Sequence, residues 1–239
     1  EDCFYDTAQC IEFKRQGYKA AVLFQDDYWI QDRRNAFEYN QAQQRIFMEE
    51  YAEYIYPKVL IVITTFNRPE YLKVALNSAM HQTYRNLEIV VTDDSTNDLT
   101  EKVMQEFLAL DSRIKYIKHE GYTGLDNWLW AVRYIKDSEI EYINFLMDDD
   151  VLSRKKISHM MTYFLESEGV SLVTSYRKLI DAEGQLLPDR PFNKRLFDKT
   201  VRLNGKDVGK KILMEQWNFI GESSTVLFKK GYMRLEGRW

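Results

Sequence analysis

Cysteine is nearly missing from this chain: Cys3 and Cys10 are the two in 239 residues. They stand two helical turns apart, too far for a disulfide within one helix, and they form no CxxC pair. A disulfide scaffold is thereby excluded and a reduced, cytoplasmic setting expected. Histidine is as scarce; His81, His119 and His159 lie far apart in sequence. None has metal-ligand spacing, so they read as surface or core residues. Long hydrophobic runs are absent too. The longest, Val59 to Ile63 followed by Thr64, Thr65 and Phe66, cannot span a bilayer, and no basic-then-apolar leader opens the chain. The expectation is a cytoplasmic protein, at most peripheral at the inner membrane face. There is no basic excess either: a net charge of −4 excludes a partner held by a general positive field, nucleic acid above all. The missing initiating Met and the end at Arg238-Trp239 point to a piece of a longer chain.

What is present is enough apolar material, 45%, to bury a core. Aromatics reach 14%, including 16 tyrosines; they suit sugar or base stacking, although ordinary packing is their commoner use. Residues 1–57 read as a helical N-terminal extension. Phe4, Ala8 and Ile11 share one helix that Gly17 breaks, and Ala36, Phe37, Ile46, Phe47, Tyr51, Tyr54 and Ile55 recur at helical spacing. Such a segment can be a packing arm, a protein-partner arm or the end of another domain.

From residue 58 to 239 the texture is that of alternating strands and helices. Lys58 to Thr64 is a β-branched run expected in a strand buried on both faces. Asn67, Pro69 and Glu70 have the spacing of a capped helix start, and Leu72, Ala75, Leu76, Ala79 and Met80 stripe that helix. Strands follow at Leu87–Thr92, Ile114–Ile117, Glu141–Met147 and Val170–Tyr176. Between them run helices striped by Leu99, Val103, Phe107 and Leu110, with Asp98 as cap; by Leu125, Leu129, Val132 and Ile135; and by Ile157, Met160, Met161 and Phe164. This order predicts parallel βαβ units in a three-layer α/β/α domain with a mostly parallel sheet. Later come a turn at Asp181–Gly184, a helix at Lys206–Glu215 and a strand at Ser224–Lys229.

Open α/β sheets bind ligands at the carboxyl ends of their strands, and three such ends are polar here. The first carries Thr64, Thr65, Phe66 and Asn67, the second Asp93, Asp94, Ser95 and Thr96, and the fourth Asp148, Asp149 and Asp150. Strand alternation would aim Asp148 and Asp150 at one point. Two such carboxylates repel unless a cation lies between them. Mg²⁺ or Mn²⁺, which take oxygen ligands from carboxylates and substrate phosphates, fit that place. A solvated acidic loop is the plain alternative, and the preceding apolar strand argues against it. Asp93 or Asp94 can accept from a base imide N–H or a ribose hydroxyl; an Asx turn with Ser95 is their structural alternative.

The stretch VLIVITTFNRPEYLKVALNSAMHQTYRNLEIVVTDDSTND, with Gly124 to Asn127 and FLMDDD after it, resembles family-2 glycosyltransferases of bacterial type, which have the GT-A fold. The likeness covers about residues 58–230 and rests on these motifs in order, not on any one of them. It implies that Thr64, Thr65, Phe66 and Arg68 line a nucleotide pocket with Gly124 and Asn127. Asp94, with Asp93, would meet the base; Asp148 and Asp149 would face the ribose or sugar; and Asp148, Asp149 and Asp150 would hold the metal. Met147 stands where an acidic residue is common, so the DxD register stays open. Trp217 to Ser224 resembles the acceptor-side strand entry. Family members invert at the sugar carbon, which implies a carboxylate base; Glu222 is the candidate, with a structural hydrogen-bonding role as its alternative. The resemblance also implies that the chain stops before its acceptor-side helices. The implied activity moves a sugar from a nucleotide diphosphate, uridine diphosphate in the first place, to a hydroxyl of a glycan, glycolipid or glycoprotein. A nucleotidyltransferase would need a glycine-rich basic loop where TTFNRPE stands. A non-catalytic nucleotide-sugar-binding or partner-binding domain is the other alternative.

Overall fold

Seven β-branched or apolar residues, Val59–Thr65, form the first strand, β1, almost wholly buried. This is seen in a computed structural model that describes residues 5–18, 46–47, 50–51, 54–119, 124–195 and 197–233. The chain divides into two units, Glu1–Pro57 and Lys58–Trp239.

In the first unit, helix α1 spans Tyr5–Arg15, and Gly17 at φ +83° ends it, as a left-handed glycine does. Cys10 is exposed and free. Phe47 and Tyr51 are buried and their rings lie 5.1 Å apart. Ile46, Tyr54 and Ile55 are exposed, so the apolar face is narrower than their spacing predicts. Cys3, Phe4, Ala36 and Phe37 lie outside the described residues.

In the second unit, β1 is followed by α2 (Pro69–Met80), β2 (Leu87–Asp93), α3 (Leu99–Leu110), β3 (Ile114–Lys118), α4 (Gly124–Asp137), β4 (Tyr142–Met147), α5 (Lys156–Glu166) and β5 (Leu172–Thr174). A two-residue pair, β6 (Leu179–Ile180) and β7 (Leu186–Leu187), then α6 (Gly205–Glu215) and β8 (Val226–Lys229) complete it. The main sheet has the order β3-β2-β1-β4-β8-β5. Its first four strands are parallel and β8 lies antiparallel between β4 and β5. The unit has the mostly parallel α/β architecture expected from the alternating pattern, in the GT-A-like form that the resemblance implies.

Right-handed crossovers put α2 and α3 on one face as the chain steps from β1 to β3, and α4 on the other as it returns to β4. Alternation along β1 agrees: Leu60 and Val62 pack in one cluster with Ala131 and Ile135 of α4. Two stripes need correction. On α3 the buried residues are Thr100, Val103 and Met104, while Leu99 and Leu110 are exposed. On α4 they are Asn127, Ala131, Val132 and Ile135, with Leu129 exposed; the Leu125 side chain lies outside the described residues. On α5 all four predicted residues are buried. Beyond α5 the expected long strand shrinks to β5, because β8 offers it three partners.

Candidate functional site

The strand order turns back between β1 and β4, and ligands of open α/β sheets bind outside the carboxyl ends at such a point. There β1 ends in Thr65, β2 in Asp93, and β4 in Met147 with the acidic triplet beyond it. Asp148 is fully buried. Its Oδ2 accepts from the Thr65 hydroxyl at 2.8 Å, and its Oδ1 makes an ionic contact of 2.6 Å with Arg68. Arg68 also reaches Asp149 at 3.0 Å. Burial pushes the Asp148 carboxyl above its usual range; the Thr65 hydrogen bond and the Arg68 charge oppose that rise.

Two expectations change here. Asp148 to Asp150 do not continue the strand: Asp150 N–H donates to the Met147 carbonyl at 3.0 Å, closing a turn, so strand alternation does not align Asp148 with Asp150. Nor does Asn67 cap α2. The residue before Pro69 is Arg68, which makes no side-chain cap bond, while Asn67 sits at φ +53°, a region that Asn tolerates better than most residues. Its side chain reaches the next loop instead, accepting from Thr96 N–H at 3.1 Å and from Asn97 at 3.0 Å, and its N–H donates to Ser95 Oγ at 2.8 Å. That left-handed residue turns the chain so that Arg68 meets the triplet.

At the β2 end, Asp93 and Asp94 separate cleanly. Asp93 accepts from Ser95 N–H at 2.8 Å and from the Tyr116 hydroxyl at 2.6 Å, so both of its oxygens serve the fold. Tyr116 is held strongly protonated by burial and by that carboxylate. Asp94, 2% exposed, accepts from Asn127 at 3.1 Å through Oδ1, and its buried Oδ2 has no partner. Burial raises its carboxyl above the usual range. The same Asn127 amide donates to the Thr65 and Thr92 carbonyls, each at 3.1 Å, so one side chain ties β1, β2 and Asp94 together. Gly124 is the first residue of α4. Thr64 is half-buried, and Phe66 is 45% exposed at the rim.

Several groups escaped the sequence reading. His119 is buried, its ring stacked on Trp130 at 4.5 Å, with Nε2 unpartnered. Burial holds it below the usual histidine range, against the pull of Asp94 and Asp93. Gln82 accepts from Ile157 N–H at 3.1 Å and donates to the Ser153 carbonyl at 2.9 Å, while Ser78 accepts from Leu152 N–H at 3.0 Å. Together they pin the loop that follows the triplet. Gln82 was legible only as a motif position; an uncharged polar residue closing a helix carries no local signal of such a partner.

On the far side, Ser224 Oγ accepts from Met147 N–H at 2.9 Å, which brings the Trp217–Ser224 stretch alongside β4. Gly221 stands at φ +102°, where a Cβ would meet Thr225 Oγ1 at 2.6 Å. Glu222 follows it, largely exposed and 3.1 Å from Arg177.

Among the described residues no three His, Cys, Asp or Glu side chains gather as a complete metal centre. The donors at the triplet are nonetheless all hard oxygens, and a guanidinium already bridges two of them. That set suits a hard divalent cation completed by phosphate oxygens, as Mg²⁺ is usually bound.

The family model for Glycosyl transferase family 2 matches residues 60–220. The GalNAc(5)-diNAcBac-PP-undecaprenol β-1,3-glucosyltransferase of Campylobacter jejuni is 32% identical over 177 residues, 74% of this chain and 53% of that relative. An uncharacterised glycosyltransferase of Rickettsia typhi is 33% identical over 150 residues, 59% of this chain and 44% of its own length. The chain thus spans about half the length of these relatives. Among solved structures, residues 1–349 of S. aureus TarS overlap 72% of this chain and 47% of that one, at 19% identity and a TM-score of 0.48.

Proposed function

The chain belongs to glycosyl transferase family 2, and from that premise we propose that it moves a sugar from a nucleotide diphosphate-sugar to an acceptor hydroxyl, with inversion and metal assistance. The observation that carries this reading is the pair of buried carboxylates beside the end of β1. Asp94 keeps one unpartnered oxygen, and Asp148 lies against a cation. An acceptor-only oxygen in a buried place calls for a ring N–H. Uracil N3–H or guanine N1–H supplies one and cytosine N3 does not; uridine diphosphate is our first choice. Asp93 is assigned to the fold rather than to the base, since both its oxygens are taken.

The diphosphate belongs at the triplet, where Asp148, Asp149 and Asp150 would hold Mn²⁺ or Mg²⁺ with phosphate oxygens. A cation there offsets the charge that grows on the departing diphosphate. Arg68 can turn from the carboxylates to a phosphate and supply a second, bidentate positive group. Thr64 and Phe66 border the nucleotide. The acceptor oxygen bonds to the anomeric carbon as the carbon–oxygen bond to the diphosphate breaks, and Glu222 takes the hydroxyl proton. The Campylobacter relative's name specifies an undecaprenol-linked substrate; a lipid-linked glycan is therefore the acceptor class we favour, presented at a membrane to a peripheral enzyme. No helix among the described residues is long and apolar enough to cross a membrane. Residues 1–57 remain a candidate arm for a protein partner.

Calorimetry with uridine, guanosine and cytidine diphosphates, each with and without Mn²⁺, tests the pocket. Uridine diphosphate should bind best and only with metal; equal binding without metal would remove the triplet from the metal role. Asp150→Ala should abolish hydrolysis of the accepted nucleotide-sugar and leave the circular dichroism spectrum unchanged. Binding without any turnover across a donor panel would favour a non-catalytic domain.

A further inference from the structure

We propose that residues 190–214 form a docking surface for an anionic lipid bilayer. Charge is unevenly spread along the chain. Residues 190–211 hold eight Lys and Arg against Asp198 and Asp207, a local excess of +6 inside a protein of net charge −4. Arg195 lies over the Tyr176 ring at 4.8 Å, but several of these cations are uncommitted. Among the described residues Lys194, Lys199, Lys206 and Lys210 enter no ion pair, whereas Lys211 pairs with Glu215 and Arg202 donates to the Glu168 carbonyl. Interleaved with them are exposed apolar side chains, Phe192, Phe197, Val201 and Leu203.

Helix α6 carries the pattern to its end. Asn204 caps it, accepting from Lys206 N–H, and none of its residues is buried. Only Val208, Gly209 and Ile212 are half-buried, little of the tertiary packing that normally stabilises a helix of 11 residues. Lys210 stands four residues after Lys206, three before Leu213 and four before Met214, so the four share one side of the helix; Leu213 is 80% exposed and Met214 75%. A basic segment interleaved with apolar side chains is what binds in the interface of a membrane with anionic lipids. A hydrophilic polyanion would leave the apolar residues unused. The surface lies outside the donor site and does not depend on its reading.

The test uses the whole 239-residue chain, sedimented with vesicles of phosphatidylcholine alone or mixed with phosphatidylglycerol. Binding should require the anionic lipid and vanish as salt rises from ~0.1 to ~1 M, where the screening length falls from about 10 to about 3 Å. Lys206→Gln with Lys210→Gln should weaken it about 25-fold, since each cation near such a surface contributes about fivefold. Leu213→Asp should weaken it as well. Lys194→Gln with Lys199→Gln keeps the test open if circular dichroism shows α6 lost in the first pair. Equal binding to neutral vesicles, indifference to salt, or no change in these variants would overturn the proposal. So would a dimer seen by light scattering in a protein that ignores lipid.

Discussion

The sheet unit has two halves built to different standards. From β1 to α5, strands are five to seven residues long and helices present buried stripes. From β5 to β8, strands have two to four residues and α6 buries nothing. The second half hangs on the first through a few specific ties: β8 on β4, Ser224 on Met147 at 2.9 Å, and Asn144 on the Val226 carbonyl at 2.5 Å. The difference teaches where rigidity is invested. The groups we propose for the nucleotide stand on the well-packed half, and the side we propose for the acceptor stands on the loosely packed one, where variation is better tolerated.

That contrast is broken most directly by cavities. Ile61→Ala, in the middle of β1, should cost about 2–5 kcal/mol in chemical denaturation, while Leu186→Ala should stay within about 0.5 kcal/mol. Similar losses at both sites would erase the distinction. Asn127→Ala should come next, at about 1–3 kcal/mol, because it leaves buried carbonyls and Asp94 short of a donor. Nucleotide affinity should fall with it, whereas the buried Asn193 of the other half, which ties Arg177, Asp189 and Arg190, should leave that affinity alone when replaced by Ala.

Lys156 tests the border between the halves. Burial holds its amine down to about 7, and its described contact is the Met160 sulfur at 3.4 Å. A lysine lowered on folding binds fewer protons folded than unfolded, so its effect on stability improves as pH rises above about 7 toward its ordinary value of 10.5. Lys156→Met should therefore stabilise by on the order of 1 kcal/mol at pH 6, with an advantage that shrinks by pH 9 in thermal melts. The smallest effect belongs to Asp94→Asn. A carboxyl raised on folding loses stability as pH climbs from its ordinary value of 3.8 through its raised folded value, and regains it in acid. The variant should gain about 1 kcal/mol at pH 7, lose that gain below pH 4, and bind the nucleotide poorly. A stabilised variant with full affinity would take Asp94 out of the pocket.

Much of the well-packed half was legible because burial on both faces leaves its mark in residue choice. Val59–Ile63 reads correctly on that account, and Ile157 to Phe164 by the helical spacing of its apolar stripe. Phasing failed on α3, where Leu99 and Leu110 are apolar yet exposed, since hydrophobicity does not say which side chains find partners. The candidate site was legible as three polar strand ends, which the fold brings to one edge of the sheet. What stayed hidden was set by distant atoms: Tyr116 marks Asp93 as structural, Asn127 marks Asp94 as half-satisfied, and the turn after Met147 replaces the assumed alternation. The second half has too few buried residues to write a pattern at all.

Asn67 has a consequence for how the two ends of a nucleotide-sugar communicate. Its amide is held by the loop after β2, and its backbone delivers Arg68 to the loop after β4. On the function we propose, occupants of the base end and the diphosphate end would share this one element, and each should change the other's affinity by the same factor. Uridine should tighten the binding of Mn²⁺-pyrophosphate in the native protein. In Asn67→Gly, which keeps the left-handed turn easily but drops the side-chain ties, the two fragments should bind as strangers.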